Sequence, residues 1–138
     1  MSGTTAYTAP ASDILSESVY LSLEYLSQTL NRLNQLPSLR DEKIHNINQI
    51  VSSLTMDVGT FVEITTLITR MIQKRHQRTI VGAKESHIHL LFVMKGINQA
   101  SQKGDLEALE DLIKYELKDN LTQWKIDLIP QVKRQLSL

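Results

Sequence analysis

The sequence predicts an all-α protein, folded as an antiparallel bundle of four or five helices. Apolar residues recur every three or four positions along most of the chain, which is the spacing of a buried helix face. Gly104 and Asp105 separate two such segments, and this pair is typical of the turn in a helical hairpin. A chain of 138 residues is long enough for one core. We therefore expect a tail over residues 1–11 and a single helical domain over 12–138.

The first helix is predicted to begin at a polar cap and to end at a proline. Ser12 or Asp13 supplies the cap, because short oxygen-bearing side chains accept hydrogen bonds from the free amides at a helix start. Pro37 disfavours a helical conformation at the residue before it, so Leu36 is the expected boundary. The apolar positions between these limits alternate in steps of four and three residues: Val19, Leu23, Leu26, Leu30 and Leu33.

The second helical segment is predicted to start at Ser38, with Asp41 three residues on as part of its cap. Its apolar stripe runs on to Ile72, which is long for one globular helix. Gly59 is the candidate for an interruption, because glycine costs about 1 kcal/mol in a helix interior. Continuous and kinked versions are both open. The β-branched residues between 60 and 69 also permit a strand, although the apolar spacing there favours a helix.

A third helix is predicted after a connection over residues 78–84, which contains Gly82. Its apolar face is broad, so we expect this helix to be largely buried. The central apolar positions are Ile88, Leu91, Met94 and Ile97, with Leu90 and Phe92 on the flank. Gly104 is then expected to end the helix.

The last long helix is predicted to begin at Asp105, which caps it, and acids follow in the first turn, where they suit the positive end of the helix dipole. Pro130 lacks an amide and is expected to stop or kink the helix, which leaves a short terminal turn over residues 131–138. Much of the core is predicted to come from Leu26, Leu30, Ile47, Leu54, Phe61, Leu91, Met94, Leu109, Ile113 and Leu117.

Composition and charge argue against several classes of function. The absence of cysteine excludes disulfides, thiolate metal sites and thiol catalysis, and it fits a reducing compartment. The first residues lack the features of a secretory signal, and no apolar run reaches the roughly 18 residues of a membrane span. We therefore expect a cytoplasmic protein without a membrane partner. Lys plus Arg equals Asp plus Glu at 15 each, which weighs against nucleic acid as a partner.

No local motif indicates catalysis, a metal site or a cofactor. The chain has no glycine-rich phosphate loop and no compact arrangement of a nucleophile with a base. His87 and His89 are two residues apart, so a helix turns them about 200° away from each other. Metal-binding pairs on helices are instead spaced by three or four residues. The sequence thus predicts a protein that is not an enzyme, with no catalytic residue, cofactor or metal ligand.

Lys95 and Gly96 match part of a pattern seen in histidine phosphotransfer bundles. In those bundles a phosphorylatable histidine lies three residues before a Lys-Gly pair, on an exposed helix face. Phe92 occupies that position here, so phosphotransfer chemistry is not expected. The remaining hypotheses for the pair are a docking site for a kinase or receiver domain, and a surface lysine beside a glycine at which two helices pack.

Two other regions contain candidate partner-binding residues. The range 70–78 carries four cations and no acid, which suits contact with phosphate, with the acidic segment 105–119 of the same chain, or with the negative end of a helix dipole. Tyr115 and Trp124 lie on an acidic segment, where aromatic residues are either core anchors or exposed contact residues, and the core interpretation is favoured. The full set of candidate partner-binding residues is Lys95, Tyr115, Trp124, Arg70, Lys74 and Arg75.

The C-terminal part resembles the end of a family of small uncharacterised bacterial helical proteins. It reads Asp-Leu-Ile-Lys-Tyr-Glu-Leu over residues 111–117, followed by Trp124. In the family, Asp-Leu-Leu-x-Tyr-Glu-Leu is followed by a tryptophan, so Ile113 stands here for the second leucine. The resemblance covers the chain from Leu91 onward. It implies a helical bundle from a bacterium and supplies no catalytic residues.

These observations favour a non-catalytic protein–protein interaction module, such as an adaptor, a regulator or an export-chaperone-like protein. The apolar stripes are wider than a narrow seam requires, which leaves an apolar helix face or groove for another protein or for a second copy of the chain. The alternative is a phosphotransfer-like signalling bundle that lacks the phosphorylatable histidine and docks on a kinase or receiver domain. A third hypothesis is an enzyme or metal protein whose site is assembled from residues far apart in sequence, because such a site leaves no local motif.

Overall fold

The computed structural model describes residues 11–40 and 46–138, with side chains from residue 14 onward, and this part of the chain is all-α. It contains four helices: α1 is Ala11–Gln35, α2 is Ile47–His76, α3 is Ala83–Lys103 and α4 spans residues 106–136. α1 packs against α2 and α4, and α3 packs against the same two helices. The predicted all-α class is confirmed.

The first helix follows the predicted seam. Its buried side chains are Leu15, Val19, Ser22, Leu26, Thr29, Leu30 and Leu33. The helix ends at Gln35, directly before the boundary that Pro37 imposes on Leu36. The predicted tail lies outside the described residues apart from Ala11, which begins the helix, and the side chains of Ser12 and Asp13 lie outside them too.

The second helix begins at Ile47, so the predicted start at Ser38 is wrong. Glu110 of α4 explains the difference, because its carboxylate binds the segment that follows α1. Its Oε1 accepts a hydrogen bond from the amide of the buried Leu39 at 2.9 Å, and its Oε2 accepts one from Nε of Arg40 at 3.0 Å. These contacts hold residues 39–40 as a turn on α4, and such tertiary contacts override a local capping signal.

The second helix is continuous through Gly59, which decides between the continuous and kinked versions. A Cβ atom at this glycine would meet nothing within 4 Å, so no neighbour requires a glycine there. The range 60–69 is helical, as its apolar spacing indicated. Asp41, the other predicted cap residue, lies outside the described residues. The buried stripe of α2 consists of Val51, Leu54, Val58, Phe61, Thr65, Ile68 and Ile72.

One helix of the described part, α2, is long and apolar enough by length and composition to cross a membrane. Core helices of soluble proteins meet the same criterion. Ser, Thr and Gly interrupt the apolar residues of α2, so the helix has no long apolar run although its mean hydropathy is high. Only 28% of the most apolar window of α2 is buried inside the structure. The helix therefore has apolar surface, including Met56 and Leu67, outside its core stripe.

The turn between α3 and α4 is the predicted helical hairpin. Gly104 has a φ of 68°, the left-handed conformation that favours glycine, and its amide donates to the Ser101 carbonyl at 3.2 Å. Asp105 then caps α4, since its Oδ1 accepts a hydrogen bond from the Ala108 amide at 3.1 Å. Both predictions are confirmed.

The last helix continues past Pro130 to Leu136, so the predicted stop and the separate terminal turn are wrong. Two segments of α4, Leu112–Leu117 and Trp124–Leu128, have the wider hydrogen bonding of a π-helix. At the end of the second segment, the Ile129 amide donates to the carbonyl of Trp124, five residues back. The hydrogen-bond ladder is thus already shifted just before Pro130, which accommodates the missing amide and the ring.

The core contains eight of the ten residues predicted for it. Ile47 is half-buried in the first turn of α2, and Leu91 is 59% exposed. The expected burial of α3 is wrong for the face that carries Leu91, because this helix is apolar on more than one side and spacing alone does not show which side packs. The residues of α3 that enter the core are Ala83, Leu90, Val93, Met94, Ile97 and Ala100.

Candidate functional site

Three large apolar side chains are exposed within two turns of α3. Ile88 is 47% exposed, Leu91 59% and Phe92 69%. Lys84 and Lys95 are also exposed, four residues before Ile88 and seven after it. Residues at this spacing share one face of a helix. We call these five residues the outer face of α3.

A groove of 620 Å³ lies beside this face, between the end of α2 and the start of α3. The residues that line it are Thr66, Thr69, Arg70, Gln73, Thr79, Ile80, Ala83, Lys84, His87, Ile88 and Leu91. The groove shares Lys84, Ile88 and Leu91 with the outer face of α3, so the two form one continuous surface. We call it the α2–α3 groove.

The α2–α3 groove has positive charge without a neutralising carboxylate. Arg70 and Lys84 line it, and no acidic residue does. Across the described ranges neither cation has an ion pair or a hydrogen bond within the chain. Lys74 and Arg75 are exposed in the last turn of α2, close to the same end of the groove. The surface therefore attracts anionic groups.

The inner wall of the groove contains His87, which joins three helices. Its Nε2 lies 2.8 Å from the Thr65 hydroxyl of α2. Because that hydroxyl donates its proton to the Phe61 carbonyl at 2.8 Å, it accepts from a protonated Nε2. The imidazole also stacks on Trp124 of α4, with ring centroids 4.9 Å apart. Burial lowers the pKa of His87, so the ring is a neutral, structural member of the site.

His89 turns the other way, towards α4, as the two-residue spacing predicts. The buried amide of Asn120 donates to Nδ1 of His89 at 3.0 Å and to the Ser86 carbonyl at 3.1 Å. With Nδ1 as an acceptor, the proton is on Nε2, which lies 3.4 Å from the Glu116 carboxylate. These contacts of Asn120, His89 and Glu116 fasten α3 to α4.

A second cleft, of 380 Å³, adjoins this network between the start of α3 and the end of α4. Glu85, Asp119 and Asp127 line it together with His89. Over residues 11–40 and 46–138, no three histidine or acidic side chains are arranged to hold a metal ion. The carboxylates of this cleft thus make an acidic surface on the opposite side of α3 from the basic groove.

The structure brings together two of the predicted partner-binding residues. Arg70 lines the α2–α3 groove, and Lys95 lies one turn beyond Leu91 on the outer face of α3. Lys74 and Arg75 are exposed one turn further along α2 from Arg70.

The two aromatic candidates lie elsewhere. Tyr115 is exposed on α4, in a shallow cleft that it shares with Leu33 of α1. Trp124 is fully buried and contacts Phe61 edge to face, with ring centroids 5.4 Å apart. The core interpretation of Trp124 is therefore correct, and this residue is not on the surface that a partner would meet.

Sequence reasoning missed the exposure of Leu91 and Phe92 and the polar wall of the groove. Thr66, Thr69 and Arg70 share the groove side of α2. A polar stripe at three- and four-residue spacing inside an otherwise apolar helix was the signal that could have located this wall.

The site as a whole combines exposed apolar side chains, unpaired cations and hydroxyl groups on one side of the molecule. Such a surface suits a ligand with both apolar and anionic groups, and its histidine, His87, is already hydrogen-bonded to α2 and stacked on α4. No protein-family model, curated protein or solved structure matches this chain.

Proposed function

We propose that this protein is a non-catalytic protein–protein interaction module, an adaptor, regulator or export-chaperone-like protein that docks another protein on the outer face of α3. The proposal includes an antiparallel bundle of the four helices, because consecutive helices contact each other and α1 also packs on α4. The observation that carries it is the exposure of Ile88, Leu91 and Phe92 on one helix face.

The energetics of burial support this use of the face. An apolar side chain that passes from exposed to fully buried contributes roughly 1.5–3 kcal/mol. Ile88, Leu91 and Phe92 are about half or more exposed in the isolated chain, so a large part of this free energy is still available to a partner. The three apolar residues lie between Lys84 and Lys95, which matches the arrangement of an apolar interface core with a polar rim.

Two titratable groups of the described chain have shifted pKa values, and structural contacts account for the position of both side chains. Burial lowers the pKa of His87, whose ring is held by Thr65 and Trp124. The Leu39 amide lowers the pKa of Glu110, which fastens the segment after α1. Burial accounts for the pKa shift of His87 and the hydrogen bond from the Leu39 amide for that of Glu110, and both side chains hold neighbouring segments together.

Site-specific photo-crosslinking tests the proposal in the native host. Benzoylphenylalanine is placed at Phe92 in one variant and at Ile126 in the other, because Ile126 is 62% exposed on α4, outside the site. We expect Phe92, and not Ile126, to capture one dominant protein at near-equal stoichiometry, identified by mass spectrometry. Equal capture at both positions, or none at Phe92, would refute docking on this face.

A second candidate partner is a kinase or receiver domain, since the position three residues before Lys95 has the exposure that a phosphorylatable histidine needs. Phe92 occupies it and is 69% exposed. Gly96 faces α4, where an added Cβ would lie 3.2 Å from Cδ1 of Leu112, as expected for a helix-packing glycine.

Charge reversal at Lys95 distinguishes docking of a kinase or receiver domain from docking of another kind of protein. Lys95→Glu is expected to weaken the binding of a kinase or receiver domain, and Lys125→Glu on α4 serves as the matched control. Unchanged binding by Lys95→Glu would contradict the signalling candidate and leave the interaction module in place.

A further inference from the structure

We infer that the docked partner segment is an acidic amphipathic helix, which packs its apolar side on the outer face of α3 and directs its carboxylates into the α2–α3 groove. This inference rests on the proposed function and names the chemistry of the partner.

The apolar part of the surface has the geometry of a helix-packing ridge. Ile88, Leu91 and Phe92 are spaced by three and four residues, as are the ridges that interdigitate when two helices pack. The adjacent groove runs between α2 and α3, and a third helix laid along two others contacts a side chain on each successive turn. A helical segment therefore matches the length and shape of the surface.

The charged part of the surface specifies an acidic partner. Arg70 on one wall of the groove and Lys84 on the other have no carboxylate partner in the described chain, and Lys95 extends the positive charge along α3. The hydroxyls of Thr66 and Thr79 add hydrogen-bond donors without adding charge. Glutamates of a partner helix would thus meet cations and donors on both walls, and lysines would meet only repulsion.

Other occupants fit the same surface less well. Residues 1–10 of the chain contain no acid, so they offer no charge complement to the groove. A nucleic acid would have to cover Ile88, Leu91 and the adjacent Phe92, which offer its phosphates no hydrogen bond, and the net charge of the chain gives no long-range attraction to a polyanion. An anionic membrane surface is flat, whereas Arg70 lies inside a concave groove.

Two synthetic peptides of about 20 residues, long enough to form a helix alone, serve as probes. Both carry leucines at helical spacing, and the remaining positions are rich in glutamate in one peptide and in lysine in the other. Binding is followed by fluorescence anisotropy at an ionic strength of about 0.01 M and again at about 0.15 M, where exposed charges are screened within roughly 8 Å.

We expect the glutamate peptide to bind at least about tenfold more tightly than the lysine peptide, and to weaken at the higher ionic strength. The double variant Arg70→Glu/Lys84→Glu should lose about tenfold in affinity for the glutamate peptide, and the control Lys125→Glu/Arg134→Glu on α4 should stay within about twofold. All four positions are exposed.

The apolar contribution is tested with a second matched pair. Leu91→Ser/Phe92→Ser should also lose about tenfold in affinity, whereas Tyr115→Ser/Ile126→Ser, at residues of similar exposure on α4, should bind as the wild type does. Far-ultraviolet circular dichroism and urea midpoints establish that each variant is folded.

Several results would overturn the inference. Equal affinity for the two peptides, no binding of either, or an unchanged affinity in Arg70→Glu/Lys84→Glu would remove the acidic helix as the partner. Tighter binding of a single-stranded oligonucleotide or of phosphatidylserine vesicles would assign the groove to those ligands. A dimer by light scattering that becomes a monomer in Leu91→Ser/Phe92→Ser would assign the face to a second copy.

Failure of this inference is distinguishable from failure of the proposed function. Photo-crosslinking at Phe92 that captures a protein, together with equal affinity for the two peptides, no binding of either or an unchanged affinity in Arg70→Glu/Lys84→Glu, would leave the proposed function standing.

Discussion

The two helices on either side of the Gly104 turn use their apolar residues in different ways. α4 buries its apolar stripe, and its well-exposed apolar residues, Tyr115 and Ile126, lie far apart along the helix. Its two buried polar residues, Glu110 and Asn120, are hydrogen-bonded to other segments. α3 buries one face and leaves Leu91 and Phe92 in solvent. Apolar content is therefore a poor guide to burial in this chain: α4 supplies stability, and α3 has apolar surface that folding does not use.

Substituting the aromatic residues of the two helices is expected to give the largest difference in the free energy of unfolding. Trp124→Ala on α4 should lower the free energy of unfolding by about 3–5 kcal/mol, because it leaves a cavity against Phe61 and His87. Phe92→Ala on α3 should change it by no more than about 0.5 kcal/mol. Urea unfolding followed by circular dichroism measures both.

Trp124→Phe provides an internal check on that prediction. The indole Nε1 of Trp124 is buried without a hydrogen-bond partner in the described chain, so the phenylalanine variant removes an unsatisfied donor along with part of the ring. We expect it to cost clearly less than Trp124→Ala. Similar losses in Phe92→Ala and Trp124→Ala would show that the outer face of α3 is buried in solution.

The contrast between α3 and α4 also shows what the sequence can predict. The hairpin was predictable because glycine in a left-handed conformation and an aspartate cap are local requirements, and Gly104 and Asp105 meet them with their own backbone and side chain. The core of α4 was predictable for a related reason, since its apolar residues follow one stripe and leave one choice of packing face.

The remaining features depend on contacts between distant residues. Leu90 and Leu91 are adjacent and equally apolar, and only the positions of α2 and α4 decide that the first is buried and the second exposed. The turn at residues 39–40, where a helix was predicted, is held by Glu110, which is 71 residues away from the Leu39 amide that it binds. α4 continues beyond Pro130 because a π-helical segment precedes the proline, and no residue type in the sequence predicts such a segment.

The next largest effect is expected where Glu110 of α4 holds the segment after α1. Glu110→Gln should lower the free energy of unfolding by about 1–3 kcal/mol, because a buried group at Leu39 loses a charge-assisted hydrogen bond. Arg40→Ala should cost less, since that side chain is largely exposed. Chemical unfolding of the two variants measures the difference, and equal losses would mean that the guanidinium rather than the amide holds the segment.

The same carboxylate is expected to make stability depend on acid pH. The Leu39 amide, with help from Lys114, Ser38 and Arg40, lowers the pKa of Glu110 from 4.5 to about 2. Its contribution is present above the unfolded pKa of 4.5 and is lost as the pH falls towards 2. Unfolding at a series of pH values should show a shallower loss in Glu110→Gln than in the wild type, and parallel curves would contradict the assignment.

A smaller pH effect is expected from His87 of α3, in the wall of the groove. Burial lowers its pKa from 6.5, so the folded chain keeps the ring neutral while the unfolded chain binds a proton as the pH falls below 6.5. Stability from this group is therefore present above pH 6.5 and declines below it. His87→Phe, which retains a ring against Trp124, should flatten the dependence between neutral and mildly acidic pH, as measured by thermal unfolding in matched buffers.

The smallest changes in the free energy of unfolding are expected for two glycines inside helices. Comparing them tests how closely α3 packs on α4, because only Gly96 faces that helix. Gly59→Ala on α2 should raise the free energy of unfolding by about 0.5–1 kcal/mol, since an added Cβ meets nothing and alanine favours the helix. Gly96→Ala on α3 gains the same propensity, but its Cβ would lie 3.2 Å from Cδ1 of Leu112 and push that side chain aside. We expect the two terms to offset each other, so that Gly96→Ala is near neutral in urea unfolding. Equal stabilisation by both substitutions would show that α3 sits further from α4 than the contact implies, and the orientation of its outer face would then be set by other contacts.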